Sequence, residues 1–178
     1  FITSSIMHGQ RRDKYKARLK DEKVADALQA KATQWFQVSN VLVQKRHEEK
    51  DTNGKTTMNL VEKLLLVNPD PIYLWNHRRD LLLKEEQDQQ TGACFELEPE
   101  LILTRQALER NPKAYGPWFH RKWAIRQYLL KQKETNYVLV QQETQKVLQT
   151  EIALTEQFLM LDERNFHCWN YRRFLIGC

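Results

Sequence analysis

A tryptophan motif recurs three times along the chain and restricts its fold more than any other feature. Trp75, Trp118 and Trp169 are each followed two residues later by His or Tyr, then by Arg, and then by Arg or Lys. An Asn or Asp stands seven residues before each tryptophan. Self-similarity at such intervals is typical of repeat proteins. We expect the motif to form the framework of the repeats, through Trp75, Arg78, Arg79, Trp118, Trp169, Arg172 and Arg173.

Each repeat is predicted to be a pair of helices. When the repeats are aligned on the Asn or Asp marker, apolar residues coincide at three positions of one helical face. These positions hold Leu60, Leu103 and Leu154, then Leu64, Ala107 and Phe158, then Leu65, Leu108 and Leu159. Pro69 and Pro112 follow two of the markers and cannot continue a helix. The second helices are expected to start near Pro71, Pro117 and Asn165.

Two further helical segments are expected around these pairs. Residues 24–50 contain no Gly or Pro, which predicts one long helix that ends by Gly54. Its apolar stripe would comprise Ala25, Leu28, Ala32, Trp35 or Phe36, Ser39 and Leu42. Residues 138–154 also show helical periodicity, which predicts an extended first helix in the third pair.

The predicted fold is all-α, an α-α superhelix of antiparallel helix pairs. Because a single pair cannot bury its apolar face, stacking of the pairs makes the core. Residues 7–178 would form one helical-repeat domain, with second-helix motifs near 75–79, 118–123 and 169–173. We expect residues 1–6 to be a remnant of cloning. We also expect this array to be a fragment of a longer one, because its last repeat would otherwise expose apolar surface.

Composition excludes several classes of function. No apolar run is long enough to span a bilayer, so no transmembrane segment is expected. The three cysteines lack the spacing of metal ligands, so we expect no metal on this chain and reduced thiols in the cytoplasm. The net charge of +5 is modest, and acids interrupt the basic stretch at residues 8–23. A nucleic-acid partner is therefore not expected.

The second repeat carries the clearest candidate site. Residues 111–126 hold four lysines and arginines and no acid. Lys113 lies in the turn before a helix, where free backbone donors and the helix dipole favour anions, and Tyr115 adds a phenolic donor. This combination suits a phosphate or a diphosphate. An ordinary basic surface is the alternative. No nucleophile and base are paired in the sequence, so the chain would supply only part of any catalytic site.

Two of these stretches resemble a known family. Residues 111–121 (NPKAYGPWFHR) are similar to the second-repeat motif of protein prenyltransferase α subunits. Residues 162–174 (DERNFHCWNYRRF) resemble the Rab geranylgeranyltransferase (type II) branch of that family, and Met7-His8-Gly9 before a basic helix points the same way. The resemblance covers most of residues 7–178. Pro117 and Phe119 depart from the motif.

The resemblance implies a heterodimer in which this chain wraps a prenyltransferase β subunit that carries the zinc. It also implies transfer of geranylgeranyl from geranylgeranyl diphosphate to C-terminal cysteines of Rab GTPases, which an escort protein presents. Lys113 and Tyr115 occupy the positions of the family's diphosphate-binding lysine and its assisting tyrosine. His120 and Arg121 match the substrate-binding motif too, and for them we expect a supporting role. No cofactor is expected on this chain itself.

Two alternatives stay open at this point. The first is the α subunit shared by farnesyltransferase and type I geranylgeranyltransferase, which acts on CaaX proteins. The second is a non-catalytic helical-repeat scaffold that binds proteins. Tetratricopeptide repeats are the obvious scaffold model, but their period is about 34 residues, which is shorter than the spacing of the tryptophans here. A scaffold would not require Lys113 and Tyr115.

Overall fold

A computed structural model of the protein describes residues 22–47, 54–87, 95–132 and 137–178. These residues form seven α-helices, in agreement with the all-α prediction. The helices are α1 (Glu22–His47), α2 (Gly54–Val67), α3 (Ile72–Gln87), α4 (Leu97–Arg110), α5 (Tyr115–Gln132), α6 (Tyr137–Leu161) and α7 (Phe166–Ile176).

The helices stack as consecutive pairs. Helices α2 and α3, α4 and α5, and α6 and α7 pack against each other, and α1 packs on α2. The second helices also contact each other across the repeats, α3 with α5 and α5 with α7, while α2 contacts α4. Each pair therefore buries its apolar face partly against the next pair, as a superhelix of repeats requires.

The three predicted apolar positions line the core. Leu64, Leu65, Leu103 and Ala107 belong to one buried cluster, and Leu108, Leu154 and Phe158 belong to a second. Leu60 and Leu159 are half-buried. The alignment of the repeats on the Asn or Asp marker is thus confirmed by the packing. The extended first helix of the third pair is confirmed as well, because α6 spans 25 residues.

The Asn or Asp marker shapes the turn between the two helices of every pair. Its side-chain oxygen accepts the backbone N–H two residues later in all three repeats, at distances of 3.1 Å. The three markers are Asn68, Asn111 and Asp162. Such a side-chain bond reproduces a backbone turn, which is why Asn and Asp are suited to this position.

The motif tryptophan locks the same turn from the other side. Its indole N–H donates to the backbone carbonyl six residues earlier in each repeat, at 2.8 to 2.9 Å. The acceptors are Pro69, Pro112 and Glu163. Trp75 and Trp118 are buried, whereas Trp169 in the last pair is 50% exposed. The first two tryptophans are covered by residues of the following repeat.

Helix starts agree with the sequence within two residues. Helix α3 begins at Ile72, directly after Pro71, and α5 begins at Tyr115, two residues before Pro117. Asn165 caps α7, since its side chain accepts the backbone N–H of Cys168 at 3.2 Å. It also donates to the carbonyl of Pro112 at 2.9 Å and so ties two repeats together.

Helix α1 ends at His47 and α2 begins at Gly54, so the long first helix ends before Gly54, as predicted. One expectation for the first part of the chain is wrong. The apolar stripe of α1 is buried only in its second half, at Ser39 and Leu42, while Leu28 is 46% exposed. Half-buried Trp35, rather than exposed Phe36, faces the core, because its indole donates to the carbonyl of Leu64. Residues 1–21, and with them the predicted remnant at 1–6, lie outside the described residues.

Candidate functional site

Lys113 projects from the turn between α4 and α5. Its backbone N–H is held by the side chain of Asn111 at 3.1 Å, so the lysine starts from a fixed backbone position. The side chain is 58% exposed, and its ammonium lies 3.3 Å from a carboxylate oxygen of Asp162. The one candidate cation of this turn is therefore accessible and paired with an acid of the third repeat.

Tyr115 is the first residue of α5 and is 53% exposed. Its ring stacks on Phe119, with centroids 5.9 Å apart, and meets the edge of His167 at 5.6 Å. Lys113 and Tyr115 thus both border the same segment of the third repeat, which begins at Asp162 and ends at His167.

Asp162 and His167 are residues of this site that sequence reasoning missed. Both belong to the third repeat, and they lie about 50 residues along the chain from the groups that they contact. Burial, followed by the charge of Lys122, lowers the pKa of His167 below its ordinary value, so its imidazole is neutral at pH 7. The available signal was the marker position, where the third repeat has Asp instead of Asn.

His120 and Arg121, the other two predicted substrate-binding residues, lie inside the molecule. His120 is fully buried and Arg121 is 3% exposed, so neither is accessible to a ligand in this structure. His120 Nε2 lies 2.7 Å from a carboxylate oxygen of Glu100. Arg78 of the preceding repeat donates to both oxygens of the same carboxylate, at 2.8 and 2.7 Å. We call Arg78, Glu100 and His120 the first junction cluster.

An equivalent cluster joins the second and third repeats. Arg121 donates to Glu151 from two of its nitrogens, and the hydroxyl of Tyr171 donates to Glu151 at 2.6 Å. Arg121 also donates to the carbonyl of Leu101 and to the hydroxyl of Thr104, both at 2.7 Å. Each junction thus buries an arginine from one repeat with a carboxylate from the next. Through these contacts His120 and Arg121 hold neighbouring repeats together.

Charge pairing sets the protonation of the first junction cluster. Burial alone would raise the pKa of the Glu100 carboxyl, but hydrogen bonds from His120 and Arg78 and the charge of Arg78 outweigh it and lower that pKa to about 2. Burial lowers the pKa of His120 despite the nearby carboxylate. An ionised Glu100 accepts hydrogen bonds only, so the neutral His120 must carry its proton on Nε2 and donate it.

The two glutamates were missed by the sequence analysis, although they leave a signal. Glu100 and Glu151 each stand 18 residues before the tryptophan of their own repeat. Thr57 occupies this position in the first repeat and is also buried. The glutamate therefore occurs in the two repeats that follow another motif arginine. Carboxylates of the following repeat are the main partners of Arg78 and Arg121.

The third motif arginine has a different environment. Arg172 donates to the carbonyl of Ile152 at 3.3 Å and to the hydroxyl of Thr155 at 2.8 Å, which repeats the secondary contacts of Arg121. Its carboxylate partner is the exposed Glu156 on α6 of the same pair. Arg79 is half-buried and Arg173 is exposed, and each donates to an asparagine three residues earlier.

The described residues show neither a metal-ligand cluster nor a membrane span. No three His, Cys, Asp or Glu side chains come together there in a way that could hold a metal ion. Within the same part of the chain, every helix is too short or too polar to cross a bilayer. Cys168 is buried, and burial raises the pKa of its thiol to about 12, so it is a poor nucleophile.

Comparison with known proteins decides the family. The model of the protein prenyltransferase alpha subunit repeat matches residues 55–85, 97–128 and 148–178. These three matches coincide with the pairs α2 and α3, α4 and α5, and the second half of α6 with α7. The chain belongs to the protein prenyltransferase alpha subunit repeat family. The superhelix of helix pairs predicted from the sequence is the fold of these prenyltransferase repeats.

Relatives from three kingdoms bear the same name. The chain is 36% identical over 123 residues to the geranylgeranyl transferase type-2 subunit alpha of Rattus norvegicus, covering 68% of this chain and 19% of the relative. It is 32% identical over 177 residues to subunit alpha 2 of Arabidopsis thaliana, with coverages of 96% and 24%. It is 33% identical over 128 residues to the geranylgeranyl transferase type-2 subunit alpha of Saccharomyces cerevisiae, covering 69% of this chain and 32% of the relative. The chain thus spans between a fifth and a third of the length of these relatives.

Proposed function

We propose that this chain is part of the alpha subunit of a type-2 geranylgeranyl transferase and binds a prenyltransferase β subunit. The heterodimer would transfer geranylgeranyl from geranylgeranyl diphosphate to C-terminal cysteines of Rab GTPases presented by an escort protein. It would act in the cytoplasm, with zinc on the β subunit and no cofactor on this chain. Membership of the prenyltransferase repeat family and the type-2 name of the relatives support this function over the CaaX-type alternative.

In this reaction the bond between the prenyl carbon and the diphosphate oxygen breaks while a carbon–sulfur bond forms. Negative charge grows on the departing diphosphate as its bond to carbon lengthens. A cation already fixed beside the leaving group stabilises that charge more in the transition state than in the ground state. Lys113 would supply the cation, and the hydroxyl of Tyr115 would donate a hydrogen bond to the same group.

The observation that carries this assignment is the position of Lys113. It is exposed, its backbone is fixed by Asn111, and it lies at the start of α5, where the helix dipole adds positive potential. The carboxylate of Asp162 now occupies the place beside the ammonium. An incoming diphosphate would compete with that carboxylate, which is a single negative charge and only partly buried.

The test uses the chain co-expressed with a type-2 β subunit. We expect Lys113→Ala to reduce geranylgeranyl transfer to a Rab–escort complex by about tenfold or more, as removal of one preorganised electrostatic group does elsewhere. The heterodimer should persist in size-exclusion chromatography. Lys146→Ala is the matched control, because Lys146 is also an exposed lysine paired with an acid, Glu143, at 2.9 Å. A transfer rate within twofold of the wild type for Lys113→Ala would refute the diphosphate role.

A further inference from the structure

Four cations from three successive second helices form a continuous row. Arg79 on α3, Lys122 on α5 and Arg173 on α7 each stand four residues after the motif tryptophan, and Arg126 lies one helical turn beyond Lys122. Their helices are in contact, α3 with α5 and α5 with α7. Lys122 and Arg126 lie over the same ring, that of Phe174. After burial, the charges of Arg126 and Arg173 lower the pKa of Lys122. We call these four residues the cation row.

Asp80, the residue after Arg79, is an acid beside the cation row, and its charge raises the pKa of Arg79 against the larger, lowering effect of burial. Helices α5 and α7 contain no Asp or Glu at all. The neighbouring bases Arg78, Arg121 and Arg172 each have a carboxylate partner, whereas none of the row's four cations is in an ion pair with a described carboxylate. The like charges of Lys122, Arg126 and Arg173 therefore repel one another, and an opposite charge from another molecule would relieve that repulsion.

Asparagines hold the two end residues of the row. Arg79 donates to Asn76, and Arg173 donates to Asn170 at 3.2 Å. Both asparagines directly follow the motif tryptophan. In the first and third repeats, the guanidinium group is therefore oriented by the same hydrogen bond to an asparagine three residues earlier.

Aromatic rings hold three of the four cations. The guanidinium of Arg79 lies over the ring of Phe119, 5.1 Å from its centroid. Lys122 and Arg126 lie over the ring of Phe174, at 5.9 and 5.2 Å. These contacts cross from one repeat to the next and restrict the side chains before any partner binds. A surface whose side chains are already ordered loses less entropy on association.

We propose that the cation row is the docking surface for an acidic face of the partner subunit. Carboxylates suit it, because guanidinium groups bind them through paired hydrogen bonds and the row presents charges at the fixed spacing of the repeats. Exposed Tyr115 and Phe119 beside the row match the aromatic and arginine enrichment of protein interfaces. This role rests on the proposed function, since it assumes that the chain acts as a subunit.

A nucleic acid or a membrane fits these observations less well. Single-stranded nucleic acids stack bases on aromatic rings, but cations already lie over the rings of Phe119 and Phe174. Lipid headgroups attract clustered bases through their charge alone and do not require side chains fixed by asparagines and aromatic rings. Binding of phosphatidylserine vesicles and of a single-stranded oligonucleotide is measured with the same variants.

The experiment measures the dissociation constant of the heterodimer with a type-2 β subunit over a range of NaCl concentrations. The row variant carries Arg79→Gln, Lys122→Gln, Arg126→Gln and Arg173→Gln. The control variant removes the same number of exposed charges elsewhere, through Lys31→Gln, Lys63→Gln, Lys84→Gln and Lys146→Gln. We expect the row variant to bind about thirtyfold more weakly and to lose most of the salt dependence, and the control variant to stay within about threefold of the wild type. Circular dichroism confirms that both variants are folded.

Two results would overturn the docking role. The first is equal binding by the row and control variants. The second is binding of phosphatidylserine vesicles or of a single-stranded oligonucleotide that is tighter than binding of the β subunit and is lost in the row variant. Absence of a heterodimer with the wild type would instead refute the proposed function. Failure of the proposed diphosphate chemistry looks different: the row variant would still bind weakly, while Lys113→Ala would leave the transfer rate unchanged.

Discussion

Replacement of Glu100 by Gln tests whether the junction clusters hold the repeats together. The carboxylate is buried and accepts two hydrogen bonds from Arg78 and one from His120. The amide keeps the shape of the side chain but removes its charge, and it leaves the Arg78 guanidinium buried without its main counter-charge. Removal of one partner of a buried pair costs roughly 3 to 5 kcal/mol. We expect a loss of about 3 kcal/mol in the free energy of unfolding at pH 7, because the amide oxygen still accepts one bond.

The pKa of Glu100 gives a second estimate of the same quantity. It falls from an ordinary value of 4.5 to about 2 in the folded chain. A depressed pKa contributes stability that is present above pH 4.5 and is lost as the pH falls toward 2, worth roughly 3 kcal/mol in all. The difference between wild type and Glu100→Gln should therefore shrink on acidification, by about 2 kcal/mol at pH 3. Two independent arguments give similar magnitudes.

Urea unfolding of the 178-residue chain, followed by circular dichroism, measures both effects. Glu109→Gln is the control, because Glu109 forms an exposed pair with Arg105 at 3.2 Å, and it should cost less than about 1 kcal/mol. Arg78→Met combined with Glu100→Gln should recover part of the loss, since no unpaired charge then remains buried. If Glu100→Gln lowered the free energy of unfolding no more than Glu109→Gln does, the role of the first junction cluster in holding the repeats together would be refuted.

Two further substitutions probe single contacts between repeats. Gly116→Ala should lower the free energy of unfolding in urea by about 1 to 3 kcal/mol, because the added Cβ would lie 2.5 Å from the indole nitrogen of buried Trp75. Gly177→Ala is the control, because its Cβ would make an ordinary contact at 3.5 Å. Asp162→Asn keeps the oxygen that forms the turn but removes the negative charge paired with Lys113. We therefore expect a lower KM for geranylgeranyl diphosphate, with the heterodimer intact. An unchanged KM would argue against competition between Asp162 and the diphosphate for Lys113.

Much of the fold could be predicted from the sequence because its signals are local. Pro69 and Pro112 prevent the preceding helix from continuing, because proline lacks the backbone N–H that a helix interior needs. Asn165 caps the helix that follows it by accepting a hydrogen bond from the nearby backbone. The coincidence of apolar positions in three repeats reports one helical face, and the structure buries that face. Leu28 shows the limit of this reasoning. It fits the periodic stripe of α1, yet it is 46% exposed, because periodicity identifies a face without showing how far the neighbouring helix extends along it.

The contacts between repeats could not be predicted in the same way. Arg78 and Glu100 lie on different helices of different pairs, and only the stacking of the pairs brings them together. One repeat cannot reveal the rule, because Thr57 replaces the glutamate in the first. Asp162 was likewise assigned to its own turn, and its second oxygen, which faces Lys113, becomes visible only in the packed array.

Comparison of the turns shows what is special about Lys113. The residue five before the tryptophan contacts the marker of the next repeat in both junctions: Asp70 accepts from Asn111 at 3.2 Å, and Lys113 pairs with Asp162 at 3.3 Å. This contact therefore joins neighbouring repeats at both junctions. At the first junction an acid faces an amide, and at the second a lysine faces an acid. Because an acid facing an amide joins the repeats equally well, packing alone does not require a lysine. Lys113, at the position that Asp70 holds in the first repeat, keeps the contact between repeats and adds an exposed positive charge beside Tyr115. A positive charge beside a phenolic donor is the combination that a diphosphate site needs.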